Sequence, residues 1–578
     1  MDAPEKLLLD HVFEHGETKP DRIYLTQPIG NGQVVDYTWA QVLDQSRRMA
    51  AHLRGLGFEP GARIAMLSKN CAHFIIAELA IWMAGYTTVA IFPTETPQTV
   101  QYVLEHSEAS LLFVGKLDDW PRQRSGVPER LARISLPLAP ATDFQSWDSI
   151  VSSTQPIPDR PRRRADDLAM ILYTSGSTGT PKGAMTSFAA ITRAAQGIAE
   201  DSRARLGDIE HRTLSYLPLA HCFERSWVEA ASLLDGRNHL YFAESLDTFL
   251  QDLRRARPTT FLSVPRLWLK FQQSVFQEVP PAKLDRLLGI PIVGSLVARK
   301  VRKGLGLDQV RVAGSGAAPM PPELIAWYRR IGLPLYEGYA MTEDAAYSHS
   351  SNAKFNDPGW VGVALPGVQV RISDDGEILI KSPAQMVGYY KQPELDAQSF
   401  TEDGFFRTGD LGELRTDGLL KVTGRSKDLF KTAKGKYVAP APIENRLNAH
   451  PMVELSLVAG AGQPGPCAIV QLDENLRARI ADPALRARVQ GELERLLDDV
   501  NAQLPDHERL RTLVVAAEPW SIENGLLTPT MKLKRARIEA AVQPQLGRWY
   551  ESACKVHWDV PQDRVLAPDA AGRVGDLE

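Results

Sequence analysis

Four cysteines in 578 residues, Cys71, Cys222, Cys467 and Cys554, are too few and too widely spaced for a disulfide framework or a zinc site. That scarcity fits a reducing compartment, so the cytoplasm is the expected location. The N-terminus, MDAPEKLLLDH, is acidic where a secretory signal is basic, and no export is expected. Neither sign of charge is in excess: 66 Lys and Arg against 70 Asp and Glu leave −4, which gives no reason to expect a nucleic-acid partner. Long hydrophobic runs are scarce too. The stretch 74–93 is the one that could pass for a membrane span, but Glu78 interrupts it and Gly85 breaks it, so 87–92 reads as a buried strand after a helix. No internal repeat is visible.

A hydrophobic content of 44% and a charged content of 24% are ordinary for a globular enzyme, and the length exceeds what one core can bury. Residues 1–150 alternate helical and strand patterns, and 152–167, rich in Pro, Ser and Arg, reads as a surface connector. The α/β alternation resumes over 167–381. Short strands follow at 376–381 and 419–423. Beyond Gly424 the pattern is that of a smaller α+β unit, and 561–578 has too few bulky apolar residues to be more than a loose tail.

The densest chemistry lies in YTSGSTGTPKG, residues 173–183, with three glycines, five Ser or Thr hydroxyls and one lysine. Glycines at 176, 179 and 183 let a backbone approach an anion, and N–H groups, hydroxyls and Lys182 act as donors, so the stretch reads as a phosphate cradle. An apolar run at 168–172 precedes it and a helical pattern from about 188 to 199 comes after it, which places it at a strand-to-helix turn. It is not a Walker loop, because Lys182 follows proline and precedes glycine. YEGYAMTE, residues 336–343, sets an aromatic, a hydroxyl and a carboxylate at the end of an apolar run. Tyr339 could stack on a purine, Thr342 could bond a phosphate, and Glu343 offers the hard oxygen magnesium prefers.

Together with DGFFRTGD, GRSKD, KGKYVAP and TPTMKLKRARIEAA nearer the C-terminus, these stretches resemble the adenylate-forming (AMP-forming) acyl-CoA synthetase superfamily, over roughly residues 20–545. The resemblance implies an α/β fold: a large N-terminal domain of two α/β subdomains and a β-barrel over 1–424, and a small mobile α+β domain over 425–560. It implies that the loop binds ATP through Thr174, Ser175, Gly176, Ser177, Thr178, Gly179 and Lys182, with Glu343 and Thr178 at the metal. It assigns adenine and nucleotide contacts to Glu337, Gly338 and Tyr339 and to Gly316, Ala317 and Ala318 of AGSGAAP, a fragment that lacks the third glycine of a dinucleotide fingerprint. Asp410, ending DGFFRTGD, and Arg425 of GRSKD match the ribose and phosphate contacts. Lys427 matches the hinge. KGKYVAP, with Gly435, Lys436 and Tyr437, matches the coenzyme A channel, and Lys532 falls on the catalytic lysine.

LPLAHCFER, 217–225, and VPRLW, 264–268, look like the long-chain forms, where the former borders the acyl tunnel and puts His221 near the carboxylate. Cys222 reads as a small apolar filler, since coenzyme A brings its own thiol. The expected reaction is medium- or long-chain fatty acid plus ATP to acyl-AMP and pyrophosphate, then transfer to coenzyme A with release of AMP, with Mg2+ required. The alternatives are an acyl-AMP ligase serving a carrier protein, which a missing carrier-type serine motif disfavours, and a non-catalytic lipid- or nucleotide-binding relative. Residues 287–305, where Arg299, Lys300, Arg302 and Lys303 cluster beside apolar residues, are open to three readings: a solvated helix packed on its own domain, a peripheral membrane contact, or a coenzyme A phosphate site. Oligomeric state is not legible.

Overall fold

The computed structural model describes residues 6–175, 180–207 and 209–559. The chain forms two compact units, one of residues up to Thr408 together with Gly412–Val422, the other of Gly409–Leu411 together with the residues from Thr423 onward.

In the first unit an eight-stranded sheet runs in the order Gly388–Tyr389, Pro181–Ser187, Leu168–Ser175, Thr87–Ile91, Arg63–Leu67, Ala109–Val114, Ala132–Ser135, Gln145–Ser146. From Leu168–Ser175 to the far edge every pairing is parallel. The other two strands join antiparallel. The run 74–93 is, as its sequence suggests, a helix and a strand: Ala72–Ala84 is buried on nearly every side, which is why it is apolar all round. Gly85, at φ 93°, ends the helix in a left-handed cap and Thr87–Ile91 is then buried along its length.

A second sheet orders Thr260–Ser263, Val312–Ser315, Leu335–Tyr339, His349–Ser350 and Val363–Ala364. Its core gathers Phe261, Trp268, Leu324, Tyr328 and Leu335. A third places Ile23–Gly30 between Asn238–Phe242 and Gln33–Thr38. A four-stranded sheet of Gln369–Ile372, Glu377–Lys381, Phe406–Leu414 and Leu420–Arg425 stands where the resemblance puts the barrel.

The second unit has a mixed sheet, Val453–Ala459, Cys467–Leu472, Leu513–Val515 and Val556–Trp558, whose side chains alternate between two cores. Ala468, Val470 and Leu472 pack with Val489, Leu493 and Leu497 of the helix Pro483–Asn501. Cys467 and Ile469 face the other way, against Ile538, Val542 and Trp549. The tail expected at 561–578 lies outside the described residues.

Glu78, which breaks the apolar run, has a specific partner. Its carboxylate meets the Arg225 Nη1, which also contacts Glu229 Oε2 at 2.7 Å, and all three side chains are buried. Burial, together with the Glu229 charge and against the pull of Arg225, pushes the Glu78 carboxyl well above its usual range. Removing the cation alone would leave two buried acids facing each other. Arg225→Met is expected to destabilise the first unit by about 3–5 kcal/mol, read as a lower midpoint in urea unfolding. Replacing all three residues by apolar ones should recover most of that loss.

Candidate active site

The cradle's context differs from the sequence-based expectation. Leu168–Ser175 is followed by a second strand, Pro181–Ser187, and only then by the helix Phe188–Leu206, so 176–180 connects two antiparallel strands. The helix was legible. The intervening strand, PKGAMTS, was not, because Pro and Gly at its start read as turn residues. Gly183 is needed there by packing, since a Cβ would lie 2.8 Å from Ile171 Cγ2 and 3.2 Å from Tyr173. The register sets Thr174 opposite Lys182. Gly176, Ser177, Thr178 and Gly179 lie outside the described residues, as does the side chain of Ser175.

Leu335–Tyr339 runs beside Val312–Ser315, which brings Glu337 level with Ser315 and sets Gly316 close to Gly338. A Cβ on Gly316 would lie 3.5 Å from the Gly338 carbonyl and 3.7 Å from Phe223, so three motifs distant in sequence share one wall. Ala317, exposed at φ 69°, turns the chain away from the strand. Ala318 is exposed beside it. Glu337 is buried, its Oε1 accepts from the Met320 N–H at 3.3 Å, and its Oε2 has no partner among the described residues. Burial pushes its carboxyl up to about 7.

Past the strand, the turn Thr342–Asp344 is held by the Met341 N–H donating to Asp344 Oδ1 at 3.0 Å. Burial lifts the Asp344 carboxyl to about 8. Ala345 and Ala346 come next with φ of 51° and 54°, two consecutive left-handed non-glycine residues, a strained conformation. The Thr342 hydroxyl approaches Cys222 Sγ at 3.5 Å. His221 stands at the start of a short helical stretch, its Nδ1 accepting from the Phe223 N–H at 3.2 Å. Its neighbour chain is pinned by Asn70, which bonds the Leu217 carbonyl (2.6 Å) and the Leu219 N–H (2.9 Å). Glu224, pushed by burial up to about 8, accepts from Ser215 at 2.7 Å.

The feature that sequence reasoning missed is Tyr389. Its hydroxyl donates to Glu343 Oε1 at 2.7 Å, and the Lys182 Nζ lies 5.4 Å from its ring centre. A lone GYY after a short strand carries no signal of such a role.

The second unit holds the remaining candidates. Asp410 is buried and accepts from Arg425 Nε at 3.0 Å, while the Arg425 side chain is largely exposed. Lys427 sits in the turn Ser426–Asp428. Gly435, at φ 71°, closes the hairpin between Phe430–Lys431 and Tyr437–Val438, its N–H donating to the Thr432 carbonyl at 2.9 Å. The Lys436 N–H meets the Thr432 hydroxyl, and Tyr437 is exposed beside Lys431. Lys532 precedes its helix: the helix begins at Arg535, and Lys532 lies in a turn whose N–H donates to the Thr528 hydroxyl at 3.0 Å. Pro529 and the left-handed Met531 delay the helix. Arg535 is fixed by a bidentate bond to Glu444 at 2.7 and 2.8 Å, so the turn has a firm base.

The sequence pattern of the AMP-binding enzyme family matches residues 12–390, and that of the AMP-binding enzyme C-terminal domain matches 427–553. The chain belongs to the AMP-binding enzyme family. It is 31% identical over 570 residues to the long-chain-fatty-acid–CoA ligase FadD15 of Mycobacterium bovis, covering 91% of this chain and 94% of that one. It is 28% identical to the peroxisomal long chain acyl-CoA synthetase 7 of Arabidopsis thaliana, covering 95% and 87%. In fold it resembles the adenylation domain of a carboxylic acid reductase from Segniliparus rugosus, with a TM-score of 0.78, 22% identity and 94% of each chain covered.

Burying Glu337 has a consequence for stability. Its folded value of about 7 lies above the ordinary 4.5, so the folded state holds a proton that the unfolded state has already released between these pH values. Its stabilising contribution is full below about 4.5, falls as pH rises, and is gone above 7. Glu337→Gln removes this loss. The stability of the mutant relative to the wild type is therefore expected to improve from pH 5 to pH 8 in urea titrations, and a constant difference would remove the buried carboxyl as its cause.

Proposed function

We propose that this chain is an ATP-dependent fatty acid–CoA ligase. The observation that carries the reading is the gathering, within one unit, of Lys182, Thr342 and Glu343 beside the His221–Phe223 segment and the small residues Gly316 and Gly338. The long-chain ligases it resembles over nine-tenths of its length support the substrate class.

In the first step a carboxylate oxygen attacks the α-phosphorus of ATP and pyrophosphate leaves. In the second the coenzyme A sulfur attacks the acyl carbon, the thiol proton is lost and AMP leaves. Lys182 and Thr342 answer phosphate charge, Tyr339 stacks on the purine, and Gly316, Ala317, Ala318, Glu337 and Gly338 line the nucleotide and acyl walls. Asp410 accepts the ribose hydroxyls and Arg425 adds a cation. A magnesium ion carried by nucleotide phosphates needs only one or two protein carboxylates, and Glu343 supplies one; it would supply charge neutralisation at the phosphates. The domains of 1–424 and 425–560 would be joined at Lys427, and Gly435, Lys436 and Tyr437 would line the pantetheine path.

The corner between the helices Pro281–Leu288 and Val293–Gly304 favours the membrane reading of 287–305. Ile290, Ile292 and Leu296 are 46%, 79% and 61% exposed, with Arg286, Arg299, Lys300 and Lys303 exposed around them. Ile292 is held out at φ 66° in a tight turn closed by the Val293 N–H and the Pro291 carbonyl. Among the described residues no helix is long and apolar enough to cross a membrane. Binding to anionic vesicles is expected to drop at least tenfold in Ile292→Ser/Leu296→Ser, measured by sedimentation.

The function itself is tested by thioester formation over a carboxylate panel. Acids of about ten carbons or more should exceed acetate and coumarate, as each buried methylene contributes roughly 0.8 kcal/mol; higher efficiency with acetate overturns it. Lys532→Ala should lose acyl-AMP formation about a hundredfold or more, because one ammonium about 4 Å from the attacking charge is worth on the order of 4 kcal/mol at an effective dielectric near 20. The same mutant should convert supplied acyl-AMP and coenzyme A at nearly the normal rate, and equal losses in both steps would contradict a lysine used in adenylation alone.

A further inference from the structure

The segment 386–390 stitches together two parts of the site that the sequence keeps far apart. The Met386 N–H donates to the Glu343 carbonyl at 2.7 Å, and the Tyr390 N–H donates to the Gly183 carbonyl at 2.8 Å. Gly388 and Tyr389 pair with Met185 and Ala184, so Tyr389 lies beside the strand that carries Lys182. The Tyr389 N–H is fixed by Asp396 Oδ1 at 2.8 Å, and Gly388 is required at this point, since a Cβ would sit 2.5 Å from Asp396 Oδ2. The side chain is buried at 5% exposure against Ala184, Met386 and Phe406. Its orientation is therefore set by packing and by backbone pairing before any ligand arrives.

We infer that Tyr389 is a positioning residue of the adenylation step: its hydroxyl aims the Glu343 carboxylate and its ring holds the Lys182 ammonium, so that the acid and the cation keep a fixed spacing. The hydrogen bond engages Glu343 Oε1, and a carboxylate has a second oxygen with which to meet a cation. Restricting the rotation of that group lowers the ordering required when a nucleotide-bound metal is taken up. An ammonium over an aromatic face is attracted to it, which ties the position of Lys182 to that of the ring. This inference rests on the proposed adenylation.

Tyr389→Phe keeps the ring and removes the hydroxyl. Expected is an increase of fivefold or more in the Mg2+ concentration that half-saturates acyl-AMP formation, with kcat at saturating Mg2+ and KM for ATP changed less than twofold. Direct binding of Mn2+ to the enzyme with a non-hydrolysable ATP analogue, followed by electron paramagnetic resonance, should weaken by a similar factor. Tyr389→Leu, which also loses the ring, should raise KM for ATP as well. In a Glu343→Gln background Tyr389→Phe should add nothing further to the metal dependence. Unchanged Mg2+ dependence and Mn2+ affinity in Tyr389→Phe would overturn the inference, as would a full additional effect in the Glu343→Gln background. If the wild type failed to adenylate any acid, the proposed function would fall, while the Mn2+ measurement would still read what the tyrosine does to the site.

Discussion

The candidate site depends on the antiparallel strand Pro181–Ser187, inserted between Leu168–Ser175 and Gly388–Tyr389 at the end of an otherwise parallel sheet. Parallel strands need crossover connections and leave their ends to separate loops, whereas an antiparallel strand turns straight back. Here the turn back keeps Lys182 within the ladder, opposite Thr174, instead of at the tip of a free loop. The next strand then delivers Tyr389 beside it. Backbone hydrogen bonds thus fix the spacing of the charged groups, a firmer basis than long side chains could supply.

The buried acids obey a related constraint. Glu78 and Glu229 share Arg225, while Glu224 and Asn70 hold the approach to His221. Arg225 and Glu229 lie in the stretch Arg225–Ala230, whose helical turns are widened, and Trp227 there donates to the Ala346 carbonyl at 2.8 Å. Widened turns of this kind recur at functional sites because an extra residue re-aims the side chains around it. The polar contacts under LPLAHCFER therefore connect the expected acyl wall to the strained turn after Glu343.

Much of this was legible in the sequence. The run 74–93 separated correctly into helix and strand because glycine punctuates it. Local signals failed where tertiary pairing decides. Pro181 and Gly183 look like a turn, yet the ladder on both sides makes them a strand. Tyr389 has no local mark, since its role comes from Glu343, 46 residues away, and from Lys182, still further. Glu78 looked only like an interruption of an apolar helix, since its partner Arg225 stands 147 residues away. Arg535 has no local mark either, since Glu444, which holds it, stands 91 residues away.

Some of the costs in the first unit fall where the proposed chemistry is. Glu337 has a carboxyl oxygen with no partner among the described residues, Asp344 is buried with its ionisation lifted to about 8, and two alanines in succession adopt left-handed backbone. Each carries a cost in stability at neutral pH, and substitutions that relieve it would be expected to raise stability there. Their common effect is to hold the strand end at Glu337–Tyr339 and the turn at Thr342–Glu343 in one arrangement without a ligand. A site that must stabilise charge developing on a phosphate gains most when its dipoles and charges need not reorganise during reaction. The strain around 337–346 is thus the counterpart of the ladder at 181–187: one fixes the acid and hydroxyl, the other the cation, and Tyr389 is the side chain that touches both.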